Sequence, residues 1–405
     1  MKALNKLGVA LGGMLEWYDF AIYAYFALAI ANAFFPQSLS ASVRLMFTYG
    51  IFGITYLARP LGAALFGHIA DKYGRALTLK LTPMIISSAS ILIALLPDYS
   101  KIGASASILL LCARFIQGLC LGGDFSGSII YLVESSKKFR FLHGSFGSCI
   151  GSCGILLSSL LATCIYKFSN HLAIQGDEWR IAFGLSLVFG VVIYLLRKNL
   201  VETEAYTYSC PDRSKKIHGK NNILSILVIA LHATTFYYFF VFLPAFIVKT
   251  THATEKAALI NNSFFLFIHI LFVPLFGWLS DQWDGKKILL TNYSILFIIM
   301  YPLIMHINLA DDRFTGLLWL ASILTAANSG VIPGFIAALF PTQSRCLNFG
   351  FCFNVSFSIF GGVTPVFCLW LFKQTGSHSS IALYLLLVAG LSLGALIAAK
   401  PGRIT

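Results

Sequence analysis

The sequence predicts an all-α membrane protein with twelve transmembrane helices in two six-helix halves. Of its 405 residues, 58% are hydrophobic and only 11% charged, against roughly 25% charged in average soluble chains. There is too little charge to face water, so the surface must face lipid. Runs of about 20 mostly apolar residues, the length that crosses a bilayer, recur twelve times between short polar interruptions. The longest polar interval, residues 197–222, separates these runs six and six.

The first run, 8–33, follows Lys2 and Lys6 and ends in the small-residue stretch ALAIANA, which imitates a cleavable signal. Glu16 and Asp19 interrupt its apolar region, so an uncleaved first helix is expected. The next runs are 44–67, 77–97, 103–127, 141–166 and 180–196, the last being the shortest. After the interval come 223–247, 257–279, 288–306, 315–339, 347–371 and 378–399. The expected organisation is therefore an N-terminal six-helix bundle over 1–196, a linker over 197–222 and a C-terminal six-helix bundle over 223–405.

The 29 Lys and Arg outnumber the 16 Asp and Glu, for a formal net charge of +13. In a soluble chain that excess would suggest nucleic acid. Here the cations are strewn in twos and threes between apolar runs, so no nucleic-acid partner is expected. Lys and Arg in short loops favour the cytoplasm. With the N-terminus inside, nineteen cations fall on that side and eight on the other. Both termini are thus expected in the cytoplasm, the chain in a bacterial plasma (inner) membrane and the protein a monomer in lipid.

The nine cysteines are scattered, mostly within the spans, without a CxxC pair, which predicts neither a disulfide framework nor a metal site. His232 and His269 have no HExxH or similar companion, so no enzyme chemistry and no cofactor are expected beyond a proton as coupling ion. A channel is disfavoured because no filter-like segment or charge ring is visible.

The loop after the second run, GHIADKYGR (Gly67 to Arg75), has a counterpart after the eighth, GWLSDQWDGKK (Gly277 to Lys287). In each, Asp follows Gly by four residues, and another Gly and a base follow. Gly allows close helix approach, and the Asp and base can pair with each other or with helix ends. A repeat of this kind points to a carrier built from two halves, with its site near the midplane. The expected cytoplasmic gate comprises Gly67, Asp71, Gly74, Arg75, Glu134 and Arg140, with Asp281 and Lys286 in the second copy.

GHIADKYGR resembles the signature loop of the major facilitator superfamily. Further stretches resemble its metabolite:proton symporter branch, which includes proline/betaine, 2-oxoglutarate, citrate and shikimate transporters. They are LEWYDFAIY (Leu15 to Tyr23), LARPLGAALFG (Leu57 to Gly67), RFIQGLCLGGDFSGSIIYLVE (Arg114 to Glu134), WRIAFGLSL (Trp179 to Leu187) and FPTQSRCLNFGFCFNVSFSIFGGVTP (Phe340 to Pro365). The resemblance implies the major facilitator fold and proton-coupled symport by alternating access. The sequence departs from the branch at Asp284, inserted in the second loop, and at Ala338, Asp124 and Glu204, where the branch usually has other residues. Osmosensing members carry a C-terminal coiled coil, which is expected to be missing from a chain that ends at Thr405.

Five charges fall well inside the spans: Glu16, Asp19, Arg59, Arg114 and Asp124. Intramembrane charges are costly and mark functional sites by default. By resemblance to proton-coupled sugar porters, Asp19 and Arg114 are expected to form a proton-controlled pair, with Glu16 and Asp124 as further proton-coupling groups. Arg59 lies at a depth similar to Glu16, so those two are expected to form an intramembrane ion pair. Fully ionised, the five sum to about one negative charge, which one proton brings near zero. That balance favours a zwitterion such as proline or betaine over a di- or tricarboxylate, with a non-transporting scaffold as the remaining alternative. Arg114 would hold the substrate carboxylate. Tyr23, Tyr237, Tyr238 and Trp319 are candidates for an aromatic wall around its cation, and Gln117, Asn328 and Asn354 for hydrogen bonds.

Overall fold

A computed structural model describes residues 2–172, 177–207, 219–243, 246, 255–305 and 312–400. Of the expected 197–222 linker, residues 208–218 lie outside the described residues. Among the described residues there are twelve long helices: α1 (Lys2–Tyr25, resumed as Ala27–Phe34 after Phe26), α2 (Ala41–Tyr73), α3 (Arg75–Leu95), α4 (Ala104–Glu134), α5 (Arg140–Leu172), α6 (Glu178–Arg197), α7 (Gly219–Tyr237), α8 (Glu255–Gln282), α9 (Gly285–Met305), α10 (Asp312–Ala337), α11 and α12 (His378–Ala398). Helix α11 consists of Arg345–Ser356, a π-helical turn Phe357–Gly362, and Thr364–Thr375. No strand occurs among the described residues.

Eleven membrane-length apolar segments are found among the described residues, from α2 onward. Helix α1 is not one of them, because Glu16 and Asp19 sit in the middle of its apolar run. Lipid-facing stripes are legible as exposed leucines one turn apart, Leu57, Leu61 and Leu65 on α2 and Leu383, Leu387 and Leu391 on α12. In water such stripes would be a defect; in a bilayer they are the solvated face.

Two runs end later than the sequence suggests. Helix α2 continues through Gly67 to Tyr73 and α4 continues to Glu134, so most of GHIADKYGR is helix rather than loop. The turn is made by Gly74 alone, whose φ of +110° disfavours a side chain. A Cβ there would also collide with the Glu202 carboxylate.

The chain divides into two compact units, one formed by Met1–Tyr131 with Ile150–Thr207, the other by Leu132–Cys149 with Tyr208–Thr405. In the first unit, α2 and α4 meet through Gly62, Gly118 and Gly122, whose missing side chains let the Leu119, Thr55 and Arg59 carbonyls approach. Small residues at helix contacts are the membrane solution to close packing. A buried aromatic core of Tyr18, Tyr23, Phe26, Phe34, Trp179 and Phe183 fills the end of the unit away from Lys2.

In the second unit the start of α5 docks on glycines. Phe141 lies where side chains at Gly285 and Gly334 would stand, and Ser145 where one at Gly277 would stand. Helix α7 loosens into a π-helical turn over Tyr238–Phe242. The Asn262 amide donates to the Phe240 carbonyl at 3.2 Å, and the Thr364 hydroxyl donates to the Phe360 carbonyl in the corresponding turn of α11. Such turns leave carbonyls that side chains can satisfy, and they gather at functional sites.

Candidate functional site

The first unit buries every intramembrane charge the sequence singles out: Glu16, Asp19, Arg59, Arg114 and Asp124 are all at most 1% exposed. It also buries Arg197, at 0% exposure, which the sequence reading assigns to the cytoplasmic linker. The correction follows from α6, whose last turn contains Arg197 and directs it inward.

Asp19 is held by hydroxyls. The Ser90 hydroxyl donates to its Oδ2 at 2.7 Å, and the Ser186 hydroxyl donates to its Oδ1. The expected direct ion pair with Arg114 is not formed. Arg114 Nη1 reaches only the Asp19 main-chain carbonyl, at 3.4 Å, and donates at 2.8 Å to Gln117 Oε1 one turn along α4. Gln117 Nε2 then donates to Ser90 Oγ at 2.7 Å. A chain Arg114–Gln117–Ser90–Asp19 thus couples the two charges indirectly. The physical reason is saturation: two serines occupy the carboxylate, and the amide occupies the guanidinium edge that would have faced it.

Ser90 is the adjustable link. Its single hydroxyl proton has two acceptors in range, Asp19 Oδ2 and the Ile86 carbonyl at 3.0 Å. An ionised Asp19 draws that proton, whereas a protonated Asp19 donates instead and sends the serine proton to Ile86, so the chain reports the state of Asp19.

Arg114 keeps two nitrogens, Nε and Nη2, buried without a hydrogen-bond partner. Its guanidinium lies 4.2 Å from the centre of the Tyr23 ring, and the Tyr23 hydroxyl is anchored on the Thr48 carbonyl at 3.0 Å. Tyr23 therefore supports Arg114, and that face of its ring is not available as a wall for a substrate cation. Gln117 is likewise a positioning group for Arg114.

The second cluster of the unit surrounds Asp124. Arg197 Nη1 donates to Asp124 Oδ1 at 2.7 Å and Nη2 to Oδ2 at 3.2 Å, while the Thr82 hydroxyl also donates to Oδ1. The remaining Arg197 protons reach the Gly8, Val9 and Leu79 carbonyls at 2.9, 2.7 and 2.6 Å. Leu79 precedes Pro83 by four residues, and Pro83 has no N–H to return, so Arg197 satisfies a carbonyl the helix leaves open. Gly12 makes the room, since a Cβ there would coincide with the guanidinium. No donor group reaches either oxygen of Glu16, whose carboxyl lies against that of Asp124. The expected Glu16–Arg59 pair is accordingly not joined by a hydrogen bond; the Arg59 guanidinium lies 5.3 and 5.4 Å from the Trp17 and Tyr56 rings.

The gate residues resolve into helix-end contacts. In the first unit Arg75 pairs with Asp71 at 3.3 Å, and Glu202 accepts the first backbone N–H groups of α3, those of Arg75 and Ala76, at 3.0 and 2.7 Å. Gly67 is buried in α2. In the second unit Asp281 does the same for α5, accepting the Phe141 and Leu142 N–H groups at 3.0 and 2.8 Å. Anions are favoured at helix N-termini and cations at C-termini. Lys286 obeys the second half of that rule: its Nζ donates to the Ile397 and Ala399 carbonyls at the end of α12, at 3.1 and 2.6 Å, so it is not the partner of Asp281. Glu134 is paired with Arg345 at 2.8 Å, and Arg140 lies within electrostatic range of both and of Asp281. Asp281→Ala is expected to lower stability by about 1 kcal/mol through loss of this cap, measured as a lower melting temperature in detergent.

The candidate substrate residues of the second unit separate. Tyr237 belongs to a buried aromatic cluster with Phe236 and Phe357, beside His232 and His269. Tyr238 is buried against Phe239 and Phe242 instead. Asn328 Oδ1 accepts from Asn292 Nδ2 at 2.5 Å, leaving its own amide nitrogen buried without a partner. Asn354 donates to the Gly350 carbonyl of its own helix at 2.8 Å. Trp319 is 39% exposed and packs on the exposed Phe264, so it lies on the surface and not in a buried wall.

Ser90, Ser186, Thr82, Arg197, Glu202 and Arg345 escaped the sequence reading as site residues. Only Arg197 left a usable signal, in the pairing of a helix-end Arg with a proline four residues past a neighbouring helix's open carbonyl.

Buried charge on facing helices, a twofold helix-end device and a lipid-facing surface define a multi-pass membrane carrier. Residues 6–223 match the family described as "Sugar (and other) transporter". The glycine betaine/proline/ectoine/pipecolic acid transporter OusA of Dickeya dadantii (strain 3937) is 31% identical over 406 residues, 95% of this chain and 80% of its own length. The proline/betaine transporter of Escherichia coli (strain K12) is also 31% identical, with the same coverage of 95% and 80%. Among solved structures, the proton:xylose symporter XylE bound to 6-bromo-6-deoxy-D-glucose aligns with a TM-score of 0.78 at 18% identity, over 98% of this chain and 94% of that one. The Escherichia coli fucose:proton symporter FucP aligns at 0.70 with 13% identity, over 97% and 98%. The chain belongs to the sugar (and other) transporter family and has the major facilitator fold. It is a transporter and not an enzyme.

Proposed function

We propose that the protein is a proton-coupled symporter that imports a zwitterionic solute of the proline or betaine class across a bacterial inner membrane, with both termini in the cytoplasm. The observation that carries this reading is Arg114, a buried guanidinium with Nε and Nη2 unpartnered, mounted on Tyr23 and linked through Gln117 and Ser90 to a buried carboxyl. The two free nitrogens present a fork of donors that matches a carboxylate. With Arg197 buried as well, three acids and three arginines balance, so the substrate class rests on the Arg114 fork and not on the charge count. The names of the relatives, transporters of betaine and proline, support the same substrate class.

In the proposed cycle the proton arrives at Asp19 and the Ser90 hydroxyl turns to Ile86. Gln117 then shares the Ser90 oxygen with the Asp19 proton, its hold there weakens, and Arg114 is freed toward the substrate carboxylate. Proton and substrate together favour the state that turns over, a shift of population between two conformations. Loss of the proton restores the serine clasp and weakens the hold on the substrate.

The test is uptake into proteoliposomes under an imposed proton gradient, with labelled proline, betaine, 2-oxoglutarate and citrate supplied in turn. Proline or betaine is expected to accumulate with acid outside, and Asp19→Asn to lose the gradient dependence. Accumulation of 2-oxoglutarate or citrate alone overturns the substrate class. Wild-type pH dependence in Asp19→Asn removes the proton from that residue. No movement of any solute returns the scaffold reading.

A further inference from the structure

Helix α1 carries two acids three residues apart, about 4.5 Å along the axis, in opposite circumstances. Asp19 is clasped by two hydroxyls. Glu16 is 0% exposed, no donor group reaches either of its oxygens, and its carboxyl lies against that of Asp124.

The groups around Glu16 come from three other helices. Asp124 and Cys120 on α4, Arg197 on α6 and Arg59 on α2 are within electrostatic range. Arg197 has no proton to spare, since its N–H groups go to Asp124, Ser128 and the carbonyls of Gly8, Val9 and Leu79. Arg59 faces Trp17 and Tyr56. Two carboxyls thus share a site whose nearest guanidinium is fully committed to one of them. Two buried carboxyls that touch are joined through a proton held on one of them.

Between Lys6 and Asp19, α1 holds no other carboxyl or amine, and the one further ionisable group there, the Tyr18 hydroxyl, is committed to the Ala182 carbonyl at 2.8 Å. A proton leaving Asp19 toward the Lys2 end of the helix therefore meets Glu16 first. Asp124 is clamped by the Arg197 guanidinium and the Thr82 hydroxyl, so beside Glu16 it stands as a fixed acceptor.

We propose that Glu16 holds a resident proton between transport cycles and is the station through which the proton taken up at Asp19 leaves toward the Lys2 end of α1. The proposal rests on the proton-coupled reading above. In the release step the Glu16 O–H bond breaks and its proton passes to water at that end. The carboxylate so formed accepts the proton of Asp19, one rotamer change or one water molecule closing the gap. Asp19 returns to the Ser90 and Ser186 hydroxyls as a carboxylate, and Glu16 ends as it began, protonated.

A relay of this kind separates two measurements on the full-length protein in proteoliposomes. Exchange of labelled for unlabelled proline or betaine on equal sides needs no proton release, whereas net accumulation does. Glu16→Gln is expected to keep exchange within about twofold of wild type and to lose about a hundredfold in proton-driven net uptake, the scale of a general acid–base group. Glu16→Asp is expected to recover part of that loss. Net uptake at the wild-type level in Glu16→Gln overturns the proposal, and so does equal loss of exchange and uptake in protein that remains folded and monodisperse. Infrared difference spectra of the purified protein test the resident proton separately from transport. The carbonyl band of a protonated carboxyl at neutral pH is expected to vanish in Glu16→Gln and to persist in Asp19→Asn. A band unchanged in Glu16→Gln refutes the proposal by itself, whereas a wild-type protein without proton-driven uptake refutes the symport reading instead.

Discussion

Replacing Arg197 by Ala is expected to destabilise the first unit by about 3–5 kcal/mol, the cost of leaving a buried carboxylate without its partner. Arg197 joins four helices of that unit: α6 supplies it, α4 supplies Asp124 and Ser128, α1 the Gly8 and Val9 carbonyls, and α3 the Leu79 carbonyl. Its removal strands the Asp124 charge and reopens the carbonyl that Pro83 leaves unsatisfied. The expected readout is a large fall in melting temperature in detergent together with low yield. Pairing the change with Asp124→Asn removes the stranded charge, and the double variant is expected to recover a substantial part of the loss. If Arg197→Ala alone melts as wild type, the clamp has no structural role. Surface cations such as the exposed Lys198, the next residue in the chain, provide the contrast: exposed charges contribute little.

The fold was largely legible because the bilayer imposes a simple demand, a run of apolar residues of fixed length, and such runs stand out whatever their neighbours do. Helix ends were less legible. Gly67 to Tyr73 reads as a loop because Asp71, Lys72 and Arg75 are polar, but helix formation depends on backbone pairing as well as on polarity, and Gly74 is where the backbone departs from it. Asp19 and Arg114 were legible as site residues because charge inside a span is rare. Their partners were not. Ser90 and Ser186 are ordinary small residues in apolar helices, and only the packing of α3 and α6 against α1 turns their hydroxyls into the clasp of a carboxyl. Arg197 was misplaced because a cation at the end of an apolar run looks the same whether it bends outward to the interface or inward to Asp124. Trp319 was misplaced for the converse reason: an aromatic on a membrane helix is equally at home facing lipid, and nothing in its local sequence fixes its direction.

Arg114→Ala is expected to weaken binding of proline or betaine by about 2–5 kcal/mol, the usual cost of truncating one side of a buried charge pair, which corresponds to about a 30- to 5,000-fold rise in Kd. The argument starts from the two guanidinium nitrogens that no protein group satisfies. A buried donor without an acceptor is a standing cost, and a substrate carboxylate removes it while gaining a charge-assisted, forked contact. The Ala variant loses that contact but also releases Gln117 and the face of Tyr23, so a second substitution is needed to separate recognition from packing. Arg114→Lys keeps the positive charge and much of the stem, but an ammonium cannot present two parallel donors. It is therefore expected to retain the wild-type melting temperature more nearly than Ala while still binding more weakly. Titration of purified protein with each solute gives the affinities, and labelled-solute exchange in proteoliposomes gives the transport consequence. Wild-type affinity in Arg114→Ala would place the carboxylate elsewhere. Equal affinity in Arg114→Lys and wild type would show that charge alone, and not the fork held by Tyr23 and Gln117, selects the substrate.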